Sequence, residues 1–116
     1  MKDILIQILN TFCPDNVFLQ GTINPDVEYP DKFVTFFIHY SQYNAFYDDD
    51  AHRAEWYVSV MFYSNDPAEV QTIPPQISSA LKDAGFIPRN AGIDIISDVQ
   101  THTGWAMDFI YPENLN

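Results

Sequence analysis

The sequence predicts an α+β protein, in which an antiparallel sheet of about four to five strands has helices packed on one face. Two observations lead to this prediction. Apolar residues recur at helical spacing in two stretches, and they alternate with other residues in several more. In chain order the elements are α-β-β-β-α-β-β, an order typical of antiparallel α+β folds. The length of 116 residues predicts a single domain, residues 1–116.

The first element is predicted to be a helix that Pro14 stops, because proline disfavours helical geometry in the residue before it. A short apolar run at residues 17–19 then predicts the first strand. Turn-forming Asn-Pro-Asp and Tyr-Pro-Asp sequences predict a loop over residues 21–32. The apolar residues that share one face of this helix are Ile4, Leu5, Ile8, Leu9 and Phe12.

Residues 33–40 and 54–63 predict two strands that supply most of the core. Every second residue of each run is apolar, and Tyr40 is expected to continue the apolar face of the first run. The other face of each run is amphipathic, so we expect it to be partly covered. The predicted core residues of these strands are Val34, Phe36, Ile38, Trp56, Val58, Val60 and Phe62.

A second helix is predicted after residue 64. Asn65 or Asp66 can cap it, and Pro67 suits the first helical position. Its apolar stripe, with spacings of three and four, comprises Val70, Ile73, Ile77, Leu81 and Ala84.

Two adjacent prolines interrupt this helix. Neither Pro74 nor Pro75 has an amide hydrogen, so we expect a short first turn followed by a main helix over residues 75–84. Gly85 suits a left-handed helix end. Alternating runs on either side of the polar turn at residues 101–104 then predict a closing hairpin.

The composition is acidic, with 16 acidic and 5 basic residues and a formal net charge of −11. An acidic surface repels phosphate backbones, so free nucleic acid is disfavoured as a ligand. The charge fits a soluble protein, a binder of basic partners, or the wall of a passage that DNA crosses without adhering. The single cysteine predicts a reducing, cytoplasmic setting. The sequence has no apolar run of about 18 residues, which predicts that no segment spans a membrane.

No recognisable catalytic set occurs, so we expect a protein that is not an enzyme and needs no cofactor. Histidines could serve as general bases, but no Ser, Cys or Asp arrangement completes a nucleophilic set. An enzyme would require His39 or His102 beside two or more acids in a concave pocket. Cys13, next to Pro14, is expected to be a small buried residue and not a reactive thiol.

The acidic run at Asp48, Asp49 and Asp50, with His52 nearby, could be read as a metal site. It lacks the spaced ligands and the glycine of a calcium loop. The run therefore favours a solvated acidic turn, and we expect no metal site.

Aromatic residues are concentrated between residues 33 and 63, which hold eleven of the eighteen in the chain. Some belong to the predicted core. The others flank the acidic loop, where two interpretations remain open: ordinary amphipathic packing, or anchors of a protein interface. The predicted protein-interaction residues are Tyr40, Tyr43, Phe46, Tyr47, Asp48, Asp49, Asp50 and Tyr57.

Three segments resemble a known family. They are PDKFVTFFIHYSQYNAFYDDDAHRAEWYVSVMFYSND at residues 30–66, ALKDAGF at residues 80–86 and IDIISDVQTHTGWAMDFIY at residues 93–111. Together with the order of the elements, they resemble small minor tail proteins of siphovirus-type phages and prophages of low-GC Gram-positive bacteria. Those proteins are tail terminators or head–tail joining components. The proline pair departs from the smoother helix of that pattern.

The resemblance implies an α+β virion protein that assembles as a hexameric ring on the last ring of the tail tube. Such a ring halts tube polymerisation and presents a surface to the head connector. The implied partners are the tail tube protein, the head connector and further copies of the chain, with DNA only as passing cargo and no membrane. The implied location is the head–tail interface of a virion assembled in the host cytoplasm.

A second hypothesis comes from a different class. A compact acidic domain could be an antitoxin, an immunity protein or a DNA mimic from a mobile element, steered by its charge onto a basic partner. A mimic should carry ordered rows of carboxylates, whereas most acidic residues here are scattered along the sequence.

Overall fold

The computed structural model describes residues 1–19, 30–47, 50–96 and 101–114. Within these ranges, two helices pack on one face of a six-stranded, mostly antiparallel sheet, which confirms the α+β prediction. The helices are α1 (Lys2–Phe12) and α2 (Pro67–Asp83). The strands are β1 (Val17–Leu19), β2 (Lys32–Tyr47), β3 (Asp50–Ser64), β4 (Ile87–Pro88), β5 (Ile93–Ile96) and β6 (Thr103–Asn114).

The sheet has the order β1-β2-β3-β6, with β4 and β5 both pairing with β6. Two details differ from the prediction. β1 runs parallel to β2, and the short strand β4 was not expected. Two residues are too few to show alternation, and Pro88 has no amide hydrogen, so it fits only at an edge such as this one.

β2 and β3 are much longer than the predicted strands. Their pairing runs from Lys32 opposite Ser64 to Tyr47 opposite Asp50. The expectation that the chain between residues 41 and 53 forms a loop is therefore wrong, except at residues 48 and 49, which lie outside the described ranges. Polar residues 41 and 42 interrupt the apolar alternation, but an antiparallel backbone ladder does not require apolar side chains.

A β-bulge at His39 changes the alternation of β2. Ile38 pairs with Val58, whereas Tyr40 pairs with Tyr57, so His39 is the extra residue. The prediction that Tyr40 continues the apolar face of Ile38 is wrong, because a one-residue shift reverses the faces of all later positions.

The core lies between the helices and one face of the sheet. Leu5 and Leu9 of α1 are fully buried, while Ile4, expected on the same face, is 38% exposed at the edge of the contact. The predicted strand residues are confirmed as core, with Ile38 and Trp56 packed at its margin. The buried cluster contains Leu5, Leu9, Cys13, Val34, Phe36, Val58, Val60, Phe62, Val70, Ile77, Leu81, Phe86, Met107 and Phe109.

The ends of α2 follow the sequence signals. The Asp66 side chain accepts a hydrogen bond from the amide of Ala68 at 3.0 Å, as an N-cap residue does. At the other end, the Phe86 amide donates to the Leu81 carbonyl at 3.0 Å across Gly85, whose φ is +101°. This is a Schellman motif, and glycine suits it because it lacks a Cβ atom.

The proline pair does not divide α2, which is continuous from Pro67 to Asp83. The prediction of two helical pieces is therefore wrong. Pro74 is buried against the core, and apolar residues on both sides of the pair pack on the same sheet, so tertiary packing holds the segment helical despite the missing amides.

Candidate functional site

Four of the predicted interaction residues, Tyr43, Phe46, Tyr47 and Asp50, fall on the distal part of the β2–β3 hairpin. Tyr43 pairs with Ala54, Phe46 with Ala51 and Tyr47 with Asp50. We call residues 43–47 and 50–54 the hairpin arm. Asp48 and Asp49 lie outside the described residues, between its two strands.

The hairpin arm extends beyond the strands that flank it in the sheet. On one side, β6 ends with Asn114 opposite Arg53. On the other, β1 pairs with β2 only from Val34 to Phe36, and no further described strand lies along that edge. The molecule measures 54 × 28 × 22 Å, and a 16-residue strand is about 53 Å long. β2 therefore spans the whole length of the protein.

Tyr57 lies in the three-stranded part of the sheet, between Tyr40 and Ile110. Its hydroxyl donates to Glu55 at 3.1 Å, and the Arg89 guanidinium lies 5.3 Å from the centre of its ring. The cation–π contact links the segment after β4 to the centre of the sheet. Tyr57 therefore lies opposite Tyr40 in the sheet, and its side chain also contacts Glu55 and Arg89.

The sheet has a second face, opposite the helices, which no helix of the described residues crosses. Phe33 stacks on Tyr63 there with ring centres 4.9 Å apart, and His102 lies beside the same phenylalanine. Ile87 and Ile93, at the β6 edge, are 50% and 64% exposed. As expected from its amphipathic pattern, this second face is partly covered.

A polar cluster occupies the middle of the second face. The Ser59 hydroxyl donates to Asp108 Oδ1 at 2.5 Å, and Asn90 Nδ2 donates to Asp108 Oδ2 at 3.0 Å. His39 Nε2 hydrogen-bonds to the Ser59 hydroxyl and lies 3.8 Å from Asp108 Oδ1. His39 reaches this cluster because alternation along β2 places it on the face opposite Ile38.

The hydrogen bonds assign the protons of this cluster. Ser59 has one proton, and the ionised Asp108 carboxylate can only accept, so Ser59 donates to Asp108. His39 Nε2 must then donate to the Ser59 oxygen. In a nucleophilic triad the histidine accepts the serine proton. Here the hydrogen bonds run the other way, and the Ser59 hydroxyl bridges His39 and Asp108.

The same contacts stabilise the ionised form of Asp108. Partial burial acts to raise the pKa of its carboxyl group. Hydrogen bonds from Ser59 and Asn90 and the charges of His39 and Arg89 act in the other direction and prevail, so the pKa lies below its ordinary value of 3.8. Asp108 is therefore a fixed negative charge at the centre of the second face.

The other residues considered for chemistry have structural contacts. His102 is buried, and its Nε2 donates to the Pro30 carbonyl at 2.7 Å. Burial raises the pKa of the Cys13 thiol to about 11, so it is protonated at neutral pH. In the described part of the chain, no three His, Cys, Asp or Glu side chains come together to hold a metal.

Sequence patterns could not reveal the polar cluster. Ser59 and Asp108 are 49 residues apart, and each is an ordinary member of an alternating strand. Only the pairing of β3 with β6, which places these two residues opposite each other, makes them neighbours.

Comparison with known proteins gives no family assignment. No helix in the described ranges is both long and apolar enough to cross a bilayer. No protein-family model matches the chain, and no curated protein matches it in sequence.

Proposed function

We propose that this chain is a virion structural protein at the head–tail junction of a tailed phage. In this role a ring of copies caps the tail tube, stops its polymerisation and allows the head to attach. The resemblance over residues 17–111 motivates the proposal. The observation that carries it is the hairpin arm, a long two-stranded extension that holds four of the eight candidate interaction residues.

The edge of the hairpin arm suits contact between neighbouring copies. Beyond Phe36, the outer edge of β2 has no strand beside it among the described residues. Unpaired strand edges offer rows of amide and carbonyl groups to another chain. A neighbour that meets this edge with a different part of its own surface makes a heterologous contact, the kind that closes into a ring.

The second face supplies a different surface for such a contact. It combines the fixed charge of Asp108 with the exposed side chains of Ile87 and Ile93. A mixture of apolar contacts and a few oriented polar groups is typical of protein interfaces. The hairpin arm of one copy and the second face of the next would form one ring contact.

The acidic composition supports the same role. A ring at this junction surrounds the path of the genome, and a net charge of −11 per copy repels a phosphate backbone. DNA would then pass as cargo without adhering. The tail tube protein and the head connector would bind the two ends of the ring.

Deleting the gene from its phage tests the proposal. We expect overlong tails without heads by electron microscopy, and normal tails when the gene is supplied from a plasmid. Tails of normal length and full infectivity in the deletion strain would refute it.

The charge of the chain also favours one alternative, an acidic inhibitor that binds a basic protein such as a nuclease. Affinity capture from the native host separates the two functions. Recovery of tail proteins supports the ring, whereas recovery of a basic nuclease without tail proteins supports the inhibitor.

A further inference from the structure

A cleft of about 330 Å³ lies between the first half of α2 and the start of β5 and β6. It opens on the helix side of the sheet, away from the polar cluster. A second cleft of about 270 Å³ continues from it along β5 and shares Val70, Gln71 and Asp94 with it. The residues that line the larger cleft are Val70, Gln71, Pro74, Pro75, Ala91, Asp94 and Trp105.

The proline pair leaves hydrogen-bond acceptors at this cleft. In a helix, the carbonyl of Gln71 would accept from the amide of residue 75, or of residue 74 in a tighter turn. Both residues are prolines, so neither amide hydrogen exists. The Val70 carbonyl loses its usual donor at Pro74 for the same reason. Val70 and Gln71, whose carbonyls lose these donors, both line the cleft.

Trp105 forms an aromatic wall that is fixed in place. Its indole Nε1 donates to the Ala91 carbonyl at 3.1 Å. The ring lies directly against Gly92, where an added Cβ atom would come within 1.9 Å of Nε1. The indole N–H is therefore already used within the chain, and the ring surface is what it offers to the cleft.

Two residues of the lining have polar side chains, Gln71 with a carboxamide and Asp94 with a carboxylate. Asp94 pairs with Trp105 in the sheet register, and its side chain is exposed. Among the described residues, the lining contains no lysine, arginine or histidine. In its described lining, the cleft thus combines an aromatic ring, a negative charge and carbonyl acceptors, with no cationic side chain.

We propose that this cleft binds the guanidinium group of an arginine side chain from a partner protein. A guanidinium group stacks on an aromatic ring and carries several N–H donors in one plane, which suits a carboxylate beside carbonyl oxygens. The charge of −11 would steer a basic partner toward the cleft. The inference goes beyond the ring proposal and does not depend on it.

Titration of the full chain with acetyl-arginine amide tests the inference. The reporter is the indole N–H resonance of Trp105 in a ¹⁵N-labelled Trp56→Phe variant, which retains a single indole. We expect a saturable shift with the arginine probe and none with acetyl-citrulline amide, its neutral analogue. No saturable shift, or the same shift with citrulline, would overturn the proposal. Tighter binding of acetyl-lysine amide would overturn the choice of guanidinium.

Two variants locate the binding groups. Asp94→Asn should weaken binding about two- to fivefold, the range for an exposed ion pair. Pro75→Ala supplies an amide donor for the Gln71 carbonyl, and it should weaken binding about twofold or more because that acceptor is then occupied. Asp83→Asn, which makes the same charge change at the far end of α2, is the control and should bind as before. Unchanged affinity in both test variants would place the probe elsewhere.

Discussion

A single residue, Asp108, connects three strands and a loop. Its carboxylate accepts from Ser59 of β3 and from Asn90 after β4, and its main-chain carbonyl accepts from the Arg89 amide at 2.9 Å. His39 joins from β2 through the Ser59 hydroxyl. The cluster therefore holds the β2 bulge and the segment after β4 to the centre of the sheet.

The lowered pKa of Asp108 gives stability a defined pH dependence. A carboxyl group with a depressed pKa in the folded state stabilises the protein above its ordinary pKa, and the contribution is lost as the pH falls through the folded value. Asp108→Asn should therefore lower the free energy of unfolding at pH 7 by about 1 kcal/mol, a modest value because the group is partly exposed. The difference from wild type should shrink below about pH 4.

Urea unfolding at a series of pH values measures this difference. Asp83→Asn, an exposed change at the end of α2, is the matched control and should keep a constant offset. A gap between Asp108→Asn and wild type that persists unchanged at acid pH would show that the carboxylate charge has no part in the stability of the cluster.

At the level of single residues, the buried positions could be predicted better than the contacts between side chains. Val58, Val60 and Phe62 follow from alternation alone, and Cys13 follows from its place at the end of an apolar helix. The partners of His39 and the cleft beside Trp105 could not be predicted, because both depend on which strands become neighbours in the sheet.

At the level of the elements, two glycines of the described residues have a positive φ and meet different structural requirements. Gly85 ends α2, and a Cβ atom there would meet only Tyr111, at an ordinary 3.6 Å. Gly92 has a φ of +108° and also lies against the Trp105 indole. The first position requires only backbone freedom, whereas the second also requires the absence of a side chain.

Alanine substitution should separate these two requirements. Gly85→Ala should cost about 1 kcal/mol of unfolding free energy, from backbone strain alone. Gly92→Ala should cost about 2–4 kcal/mol, because the Trp105 ring must also move and its bond to Ala91 is lost. Urea unfolding measures both values, and the Trp105 indole resonance should shift only in Gly92→Ala. Equal losses without that shift would contradict the steric argument.

Elements with local signals could be predicted, and those that depend on tertiary contacts could not. The cap at Asp66 and the helix end at Gly85 each rest on a few adjacent residues. The continuity of α2 across its prolines depends on packing against the sheet, and the strand β4 depends on the free edge of β6. The length of β2 depends on β3, which pairs with it over residues that show no apolar alternation.

At the scale of the whole molecule, the long axis is the β2–β3 hairpin itself, with the helices and the core on one face. The ring proposal uses the hairpin arm, which extends past its neighbouring strands, as a contact with another chain. The ring proposal therefore predicts that changes in the arm affect assembly more than folding.

Tyr47→Ala and Asp49→Lys test this expectation. If these residues belong to the predicted interaction site and not to the core, both variants should leave the free energy of unfolding within about 0.5 kcal/mol of wild type. Neither should restore normal tail length when supplied to the deletion phage, because each alters the surface offered to the next copy or to the tube. The control is Asp83→Lys, which makes the same charge reversal at the end of α2, outside the hairpin arm. This variant should complement fully. If both variants fold and complement like Asp83→Lys, the assembly contact does not involve the predicted interaction residues Tyr47 and Asp49.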